Sequence, residues 1–171
     1  MSRGMDIRVY RQLILKLEKN GGACVLDTDD DALKFGIEAT PFMIKPNEFE
    51  MHRLVGKKLH ALREYKEASR GLIKKGIQVV IVSLGSKGAL FVTQRDSFHV
   101  PAPKVTVKSK VGAGDSLIGG VCLGLVRGKS LREAARLGIA ASTSAVMREA
   151  PRLCLKSDIP SLLPKIKVKE V

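Results

Sequence analysis

Val111-Gly112-Ala113-Gly114-Asp115-Ser116 lies between a β-rich segment and the apolar run Leu117 to Val126. That run reads as a helix, so the glycines open a helix N-terminus. The first N–H groups of a helix have no intrahelical acceptor, and the macrodipole is positive there, so phosphate oxygens are favoured partners. Gly112 and Gly114 let the backbone approach such a group without a Cβ in the way. Asp115 then sets a carboxylate where phosphate would repel a purely structural acid. A carboxylate beside a phosphoryl group can accept the proton of an attacking hydroxyl, while the N–H groups of Gly112, Ala113, Gly114 and Asp115 stabilise the developing charge. The local alternative is a tight loop in which Asp115 caps a helix.

Outward from this loop, helix and strand patterns alternate. Ile7, Tyr10, Leu13, Ile14 and Leu17 recur at helical spacing and Asn20-Gly21-Gly22 supplies a stop, which predicts an amphipathic helix over residues 6–20. Ala23 to Leu26, ending in Asp27, and Phe42 to Ile44 read as buried parallel strands flanking a short helix from Asp29 to Gly36. A helical pattern runs from Leu54 to Lys75 with a break near Gly56, and Gly76 ends it. Ile77 to Val82 is nearly continuous β-branched sequence, as a central strand requires. Ala89 to Thr93 and Phe98 to Val100 follow as extended segments. A final short helix over Ser157 to Leu163 and an edge strand over Lys165 to Val168 complete the pattern. The alternation predicts a single α/β domain, a three-layer α/β/α sandwich with a mostly parallel sheet whose ligands gather at the C-terminal strand ends.

Two further stretches fall at such ends. In Lys45-Pro46-Asn47-Glu48-Phe49-Glu50, Asn47 can cap the following helix with Glu50 at the reciprocal capping-box position. In Ser83-Leu84-Gly85-Ser86-Lys87-Gly88-Ala89, the glycines allow a hairpin turn. Downstream, Ser130 and Glu133 form a second capping box, and residues 131–147 are rich in small side chains that permit close helix packing or admit a flat ligand.

Taken in order with Gly112 to Asp115, these stretches resemble the signatures of the ribokinase-like (PfkB) carbohydrate kinases. The closest branch is the one that phosphorylates sugar phosphates, typified by 1-phosphofructokinase and tagatose-6-phosphate kinase. The resemblance implies ATP and Mg2+ as cofactors and Asp115 as general base toward a phosphorylated ketohexose (fructose 1-phosphate, fructose 6-phosphate or tagatose 6-phosphate). It also implies Asn47 and Glu50 near magnesium, with Glu50 acting through water. Lys45, Ser83, Gly85 and Gly88 would then lie at the nucleotide phosphates, and Ala141, Ser142 and Ser144 at the adenine pocket. Lys110 departs from the threonine common in the family. Ser109 departs from the aspartate that helps ribokinases proper hold a monovalent cation. The resemblance covers the C-terminal part of the family pattern, without the β-sheet lid and most sugar-binding residues. It therefore implies a missing N-terminal half, or self-association through an open sheet edge.

The chain has 171 residues, enough for one domain with a sizeable core. Cys24, Cys122 and Cys154 lack metal-ligand spacing and sit among apolar residues, which predicts buried free thiols and a cytoplasmic location. No long apolar run points to a membrane. The 30 Lys and Arg against 17 Asp and Glu, a net charge of +13, suit phosphorylated ligands. Nucleic-acid binding is the less favoured reading, because the basic residues are scattered and no Trp and two Tyr leave little for base stacking. A Walker A sequence and a nicotinamide-type Gly-x-Gly-x-x-Gly are both missing. The readings in competition are thus a sugar-phosphate kinase half, a nucleotide-binding module without catalysis, and a basic nucleic-acid binder.

Overall fold

Helical spacing at the start of the chain produces α1 (Val9–Lys19), which ends at Asn20 as the Asn-Gly-Gly stop predicts. Ile14 packs inward at 2% exposure, whereas Leu13 and Leu17 each remain 51% exposed. The apolar face of the amphipathic helix is therefore only half covered. The computed structural model describes Asp6 and residues 8–171, so Ile7 lies outside the described residues.

β1 (Val25–Leu26), α2 (Asp30–Ile37), β2 (Met43–Ile44), α3 (Glu48–Val55), α4 (Leu62–Ile73) and β3 (Val79–Ser83) follow. The break expected near Gly56 is real, since α3 stops at Val55 with Gly56 as its C-cap. β3 carries the β-branched run, and Val80, Ile81 and Val82 are fully buried, as expected of a strand covered on both faces. A single 3-10 turn (Gly85–Lys87) leads to β4 (Ala89–Val92), and β5 (Ser97–Val100) follows.

The strands hydrogen-bond in chain order, β1-β2-β3-β4-β5, with β6 (Lys169–Glu170) beside β5. Val25 pairs with Met43, and Met43 with Val79, in parallel register, while Phe98 pairs with Glu170 in antiparallel register. Parallel neighbours need crossovers, and α2 and the α3–α4 pair supply them. The α/β architecture expected from the alternation is the one observed.

α5 (Ala113–Val126) and α6 (Leu131–Val146) form a helix pair packed at backbone distance. A Cβ on Gly120 would lie 2.7 Å from the Cα of Gly138, and one on Gly124 would lie 2.7 Å from the Cα of Ala134. Packing is thus what the small residues of α6 do. Ser130 and Glu133 cap α6 reciprocally, as predicted. The short α7 (Ile159–Leu162) follows, and a turn through Leu163–Lys165 buries Ile166. That turn displaces the last strand to Lys169–Glu170 from the expected 165–168. β6 is held there by Arg132, whose guanidinium lies 4.8 Å from the Phe98 ring centroid and donates to the Glu170 carboxylate.

The chain divides into two compact units. One comprises the described residues through Ser83 together with Leu90–Ser97; the other comprises Leu84–Ala89 and Phe98–Val171. The cysteines correct the sequence expectation: Cys24 and Cys122 are only partly buried and Cys154 is exposed. Leu153 and Leu155, the apolar neighbours that suggested burial of Cys154, are themselves 50% and 46% exposed.

Candidate active site

In the first unit the parallel strands β1, β2 and β3 point the same way, so the residues after them gather at one rim. Asp27 follows β1, Lys45 follows β2 and Ser83 ends β3. Lys45 is 6% exposed, and its Nζ lies 3.1 Å from Oδ1 of Asp27. A buried ammonium needs such a partner. Sequence reasoning missed Asp27 in this role; its place at the end of an apolar strand was the available signal.

Asn47 caps α3 by the reciprocal device expected. Its Oδ1 accepts from the Glu50 N–H at 2.9 Å, while the Glu50 carboxylate accepts from the Asn47 N–H at 2.8 Å. Ser83 joins the same rim, for its N–H donates to the Pro46 carbonyl at 3.0 Å and it bridges Asn47 in parallel register. The capping box uses one carboxylate oxygen of Glu50 and leaves the amide NH2 of Asn47 outside it. Burial pushes the Glu50 carboxyl above its usual range; the Asn47 N–H and Lys45 oppose this, and Asp27 and Asp29 reinforce it.

In the second unit Gly85 opens the turn after β3 with a left-handed φ of 58°, and open space lies where its Cβ would be. Gly88 closes the turn at a φ of 95°, with its carbonyl accepting from the Leu84 N–H at 2.8 Å. A Cβ on Gly88 would sit 2.0 Å from the Val100 carbonyl oxygen and 2.7 Å from the Ala102 nitrogen. Only glycine fits that approach.

The loop before α5 is fixed on both sides. The N–H groups of Lys108 and Ser109 donate to the Val146 carbonyl, and the Val111 N–H donates to Ser109 Oγ at 3.1 Å. The N-cap of α5 is Gly112, in the left-handed conformation at φ 76°, and no side chain caps the helix. The first bond of the helical ladder runs from the Ser116 N–H to the Gly112 carbonyl at 2.9 Å. The Ala113 N–H donates to the Lys110 carbonyl at 3.4 Å, so the N–H groups of Gly114 and Asp115 are the ones that precede the ladder, fewer than the four expected from Gly112 to Asp115. Asp115, in the first turn, is solvent-open. Behind it the Ser116 hydroxyl is buried without a hydrogen-bond partner among the described residues. The alternative of Asp115 as the helix cap is not what forms, because the capping position belongs to a residue without a side chain. Lys110 is exposed beside this loop. A Cβ on Gly112 would meet Cδ2 of Leu153 at 2.3 Å, so Leu153 lies against the loop, a contact the sequence did not suggest.

Ser144 stands apart from these groups. It is fully buried, its hydroxyl donates to Asp158 at 2.6 Å, and it accepts from the Leu155 N–H at 2.9 Å. Arg148 pairs with the same carboxylate. The Ser144 hydroxyl, with Arg148 next, holds the Asp158 carboxyl below its usual range. Ser144 thus ties the segment after α6 back onto that helix. Among the described residues no cluster of three or more His, Cys, Asp or Glu could hold a metal ion alone. No described helix is long and apolar enough to cross a membrane.

The pfkB family carbohydrate kinase model matches residues 1–158. Over 157 residues the chain is 34% identical to the Escherichia coli ATP-dependent 6-phosphofructokinase isozyme 2, covering 91% of this chain and 51% of that one. Over 148 residues it is 31% identical to the 1-phosphofructokinase of Borreliella burgdorferi, covering 86% and 48%. The crystal structure of the Escherichia coli phosphofructokinase-2 in complex with potassium superposes with a TM-score of 0.89 at 32% identity, over 95% of this chain and 53% of that one. The chain spans about half the length of the relatives it matches. With the glycine loop and the capped Asn-x-x-Glu turn both formed, the family match identifies the chain as a member of the pfkB family of carbohydrate kinases.

Proposed function

We propose that this chain is the nucleotide-binding and catalytic part of an ATP-dependent sugar-phosphate kinase, with a phosphorylated ketohexose as acceptor and Asp115 as general base. The observation that carries the reading is the start of α5: Gly112 leaves the terminus without a side-chain cap, and Asp115 is solvent-open in the first turn. The N–H groups of Gly114 and Asp115 hold the oxygens of the transferring phosphoryl, and the carboxylate accepts the proton of the attacking hydroxyl. Both acts are needed at once, because an alkoxide is a poor species to form in advance at neutral pH.

The residues present fit a nucleotide polyphosphate. Lys45 offers a buried cation to phosphate oxygens, and Ser83 with the Gly85 and Gly88 turn offers backbone with room above Gly85. Asn47 and Glu50 stand on the magnesium side. Glu50 acts through water, since part of its carboxylate already holds the Asn47 N–H. Magnesium, when bound, neutralises phosphate charge that would otherwise repel Asp115. We place Ser144 behind the adenine-facing wall as a support for α6 rather than as a direct contact. The other half of the family pattern brings most of the acceptor site, from a separate polypeptide or the remainder of a longer chain, and the location is cytoplasmic.

Asp115→Asn tests the assignment. Asparagine keeps the shape and loses the base, so turnover with a ketohexose phosphate falls on the order of 10²-fold or more while ATP affinity holds or improves. Unchanged turnover in a folded variant overturns the role of Asp115. The half-length match favours one second reading, a nucleotide-binding module without catalysis. Magnesium-dependent ATP binding by calorimetry, with no phosphotransfer in the presence of the complementary half, would support it.

A further inference from the structure

We infer that the surface segment after α6 is a strap that sets the start of α5, with Leu153 as its positioning residue and the end of α6 as its latch. This rests on the reading of that start as a phosphoryl site and deepens it, since it concerns what keeps the site in shape.

The first observation is how lightly Gly112 is held from its own side. Residues 101–112 belong to no helix or strand. Their ties are the Lys108 and Ser109 N–H groups on the Val146 carbonyl, the Val111 N–H on the Ser109 hydroxyl at 3.1 Å, and a long bond of 3.4 Å from the Ala113 N–H to the Lys110 carbonyl. Gly112 nevertheless keeps a left-handed φ of 76°, with its carbonyl taking the first ladder bond from Ser116. A segment with few bonds opens locally at small free-energy cost, so one packing contact there moves the population of the ordered form.

The second observation is Leu153. A Cβ on Gly112 would lie 2.3 Å from its Cδ2, so the leucine methyl fills the place that a side chain at position 112 would take and rests on the bare α-carbon. The rest of Leu153 is open, at 50% exposure. A side chain left half in water adds little to the core, but its methyl bears on the residue that caps α5.

The third is the latch. Residues 147–155 belong to neither helix nor strand, and Glu149 to Ser157 are exposed. Both ends of this strap return to the last turns of α6. Arg148 pairs with Asp158, the Ser144 hydroxyl donates to the same carboxylate at 2.6 Å, and the Leu155 N–H donates to that hydroxyl at 2.9 Å. Leu155 is two residues from Leu153, so its fixed N–H leaves the leucine a leash of about 7 Å. Between Ser144 and Arg148 lies Val146, whose carbonyl receives Lys108 and Ser109. The upstream side of the glycine loop and the strap that covers Gly112 therefore hang from one stretch, residues 144–148, and Ser144 acts on the start of α5 through Leu153.

The experiment follows amide exchange in the 171-residue chain with no ligand added. Leu153→Ala should speed exchange of the Ser116 N–H by about 10-fold, as a local opening, while amides in the middle of α6 and the urea midpoint stay nearly unchanged. Leu153→Met, which still reaches Gly112, should restore the parent rate. Ser144→Ala should also speed Ser116, and its effect there should not add to that of Leu153→Ala in the double variant, because the latch works through the leucine. In a second arm MgATP is titrated by calorimetry. Leu153→Ala should weaken it by about 3- to 10-fold, by lowering the fraction of chains with the loop formed, and Leu153→Met should recover it. Unchanged Ser116 exchange in Leu153→Ala overturns the inference. So does exchange that quickens equally along α6, full additivity in the double variant, or an MgATP affinity equal to the parent's. A parent chain that binds no MgATP, while Ser116 responds as expected, refutes the phosphoryl-site reading and leaves the strap standing.

Discussion

Deleting one member of the Asp27–Lys45 pair should hurt far more than deleting the other. At 3.1 Å the attraction is about 1 kcal/mol if screened as in bulk water and about 5 kcal/mol at an effective dielectric near 20. Burial is unequal, with the lysine side chain 7% and the aspartate side chain 28% exposed. Asp27→Ala leaves a buried ammonium without that carboxylate, and we expect a loss of about 2–3 kcal/mol, below the ~3–5 of fully buried pairs because water reaches Asp27. For a domain of this size that lowers Tm by about 5–10 °C. Lys45→Met keeps the apolar stem, removes the buried charge, and leaves Asp27 to be hydrated. It should stay within about 1 kcal/mol of the parent, and the double variant near it. Urea denaturation of the four proteins at neutral pH reads all of this. A Lys45→Met variant as unstable as Asp27→Ala, or an Asp27→Ala variant as stable as the parent, would refute the account of the pair.

Glu50 has its pKa raised, chiefly by burial, so its contribution favours the fold at low pH and is lost as pH rises through the raised value from about 4.5 upward. Glu50→Gln, which can still accept from Asn47, should flatten that part of the stability profile; an unchanged profile would count against it. Gly88→Ala forces a left-handed φ on alanine and drives its Cβ into the Val100 carbonyl, and the two together should cost about 2–5 kcal/mol in thermal or urea unfolding. Ser144→Ala removes the acceptor for the Leu155 N–H and the donor to Asp158, for an expected loss of about 1–3 kcal/mol. Asp158 has a lowered pKa, so its stabilisation is present above the ordinary carboxylate range and is lost as pH falls through the lowered value. The Ser144→Ala variant should therefore show a shallower acid limb by circular dichroism.

Local chemistry was legible in the sequence wherever a single segment determines it. The Asn47–Glu50 and Ser130–Glu133 capping boxes, the stop at Gly56 and the buried run of β3 all formed as read, because each depends on residues within a few positions of one another. The glycines also open the helix N-terminus as read, with Gly112 as the N-cap. Contacts made across the fold were harder. Nothing near Lys45 in the chain marks Asp27 as its partner, and nothing near Ser144 shows that its hydroxyl meets Asp158. Leu13 and Leu17 lie on the apolar face that the spacing marks yet stay exposed, because periodicity reports which face is apolar and not what covers it. Cys154 failed for the same reason, since apolar neighbours in sequence do not make an apolar neighbourhood in space.

The close contact of α5 with α6 also bears on when the glycine loop proposed to meet phosphate can exist. α5 holds four glycines, Gly114, Gly119, Gly120 and Gly124, in 14 residues. Each is about 0.8–1 kcal/mol less favourable in a helix interior than alanine, so the segment on its own would be a coil. Its helical state is borrowed from α6, whose Gly138 and Ala134 receive it at backbone distance. The N-terminus of α5 is consequently not a local motif that could be cut out and keep its shape. It comes into being only when two helices dock, and a ligand held there would strengthen the docking in return. Amide exchange along α5 and α6 should then slow together when nucleotide binds, including at residues well away from the phosphates.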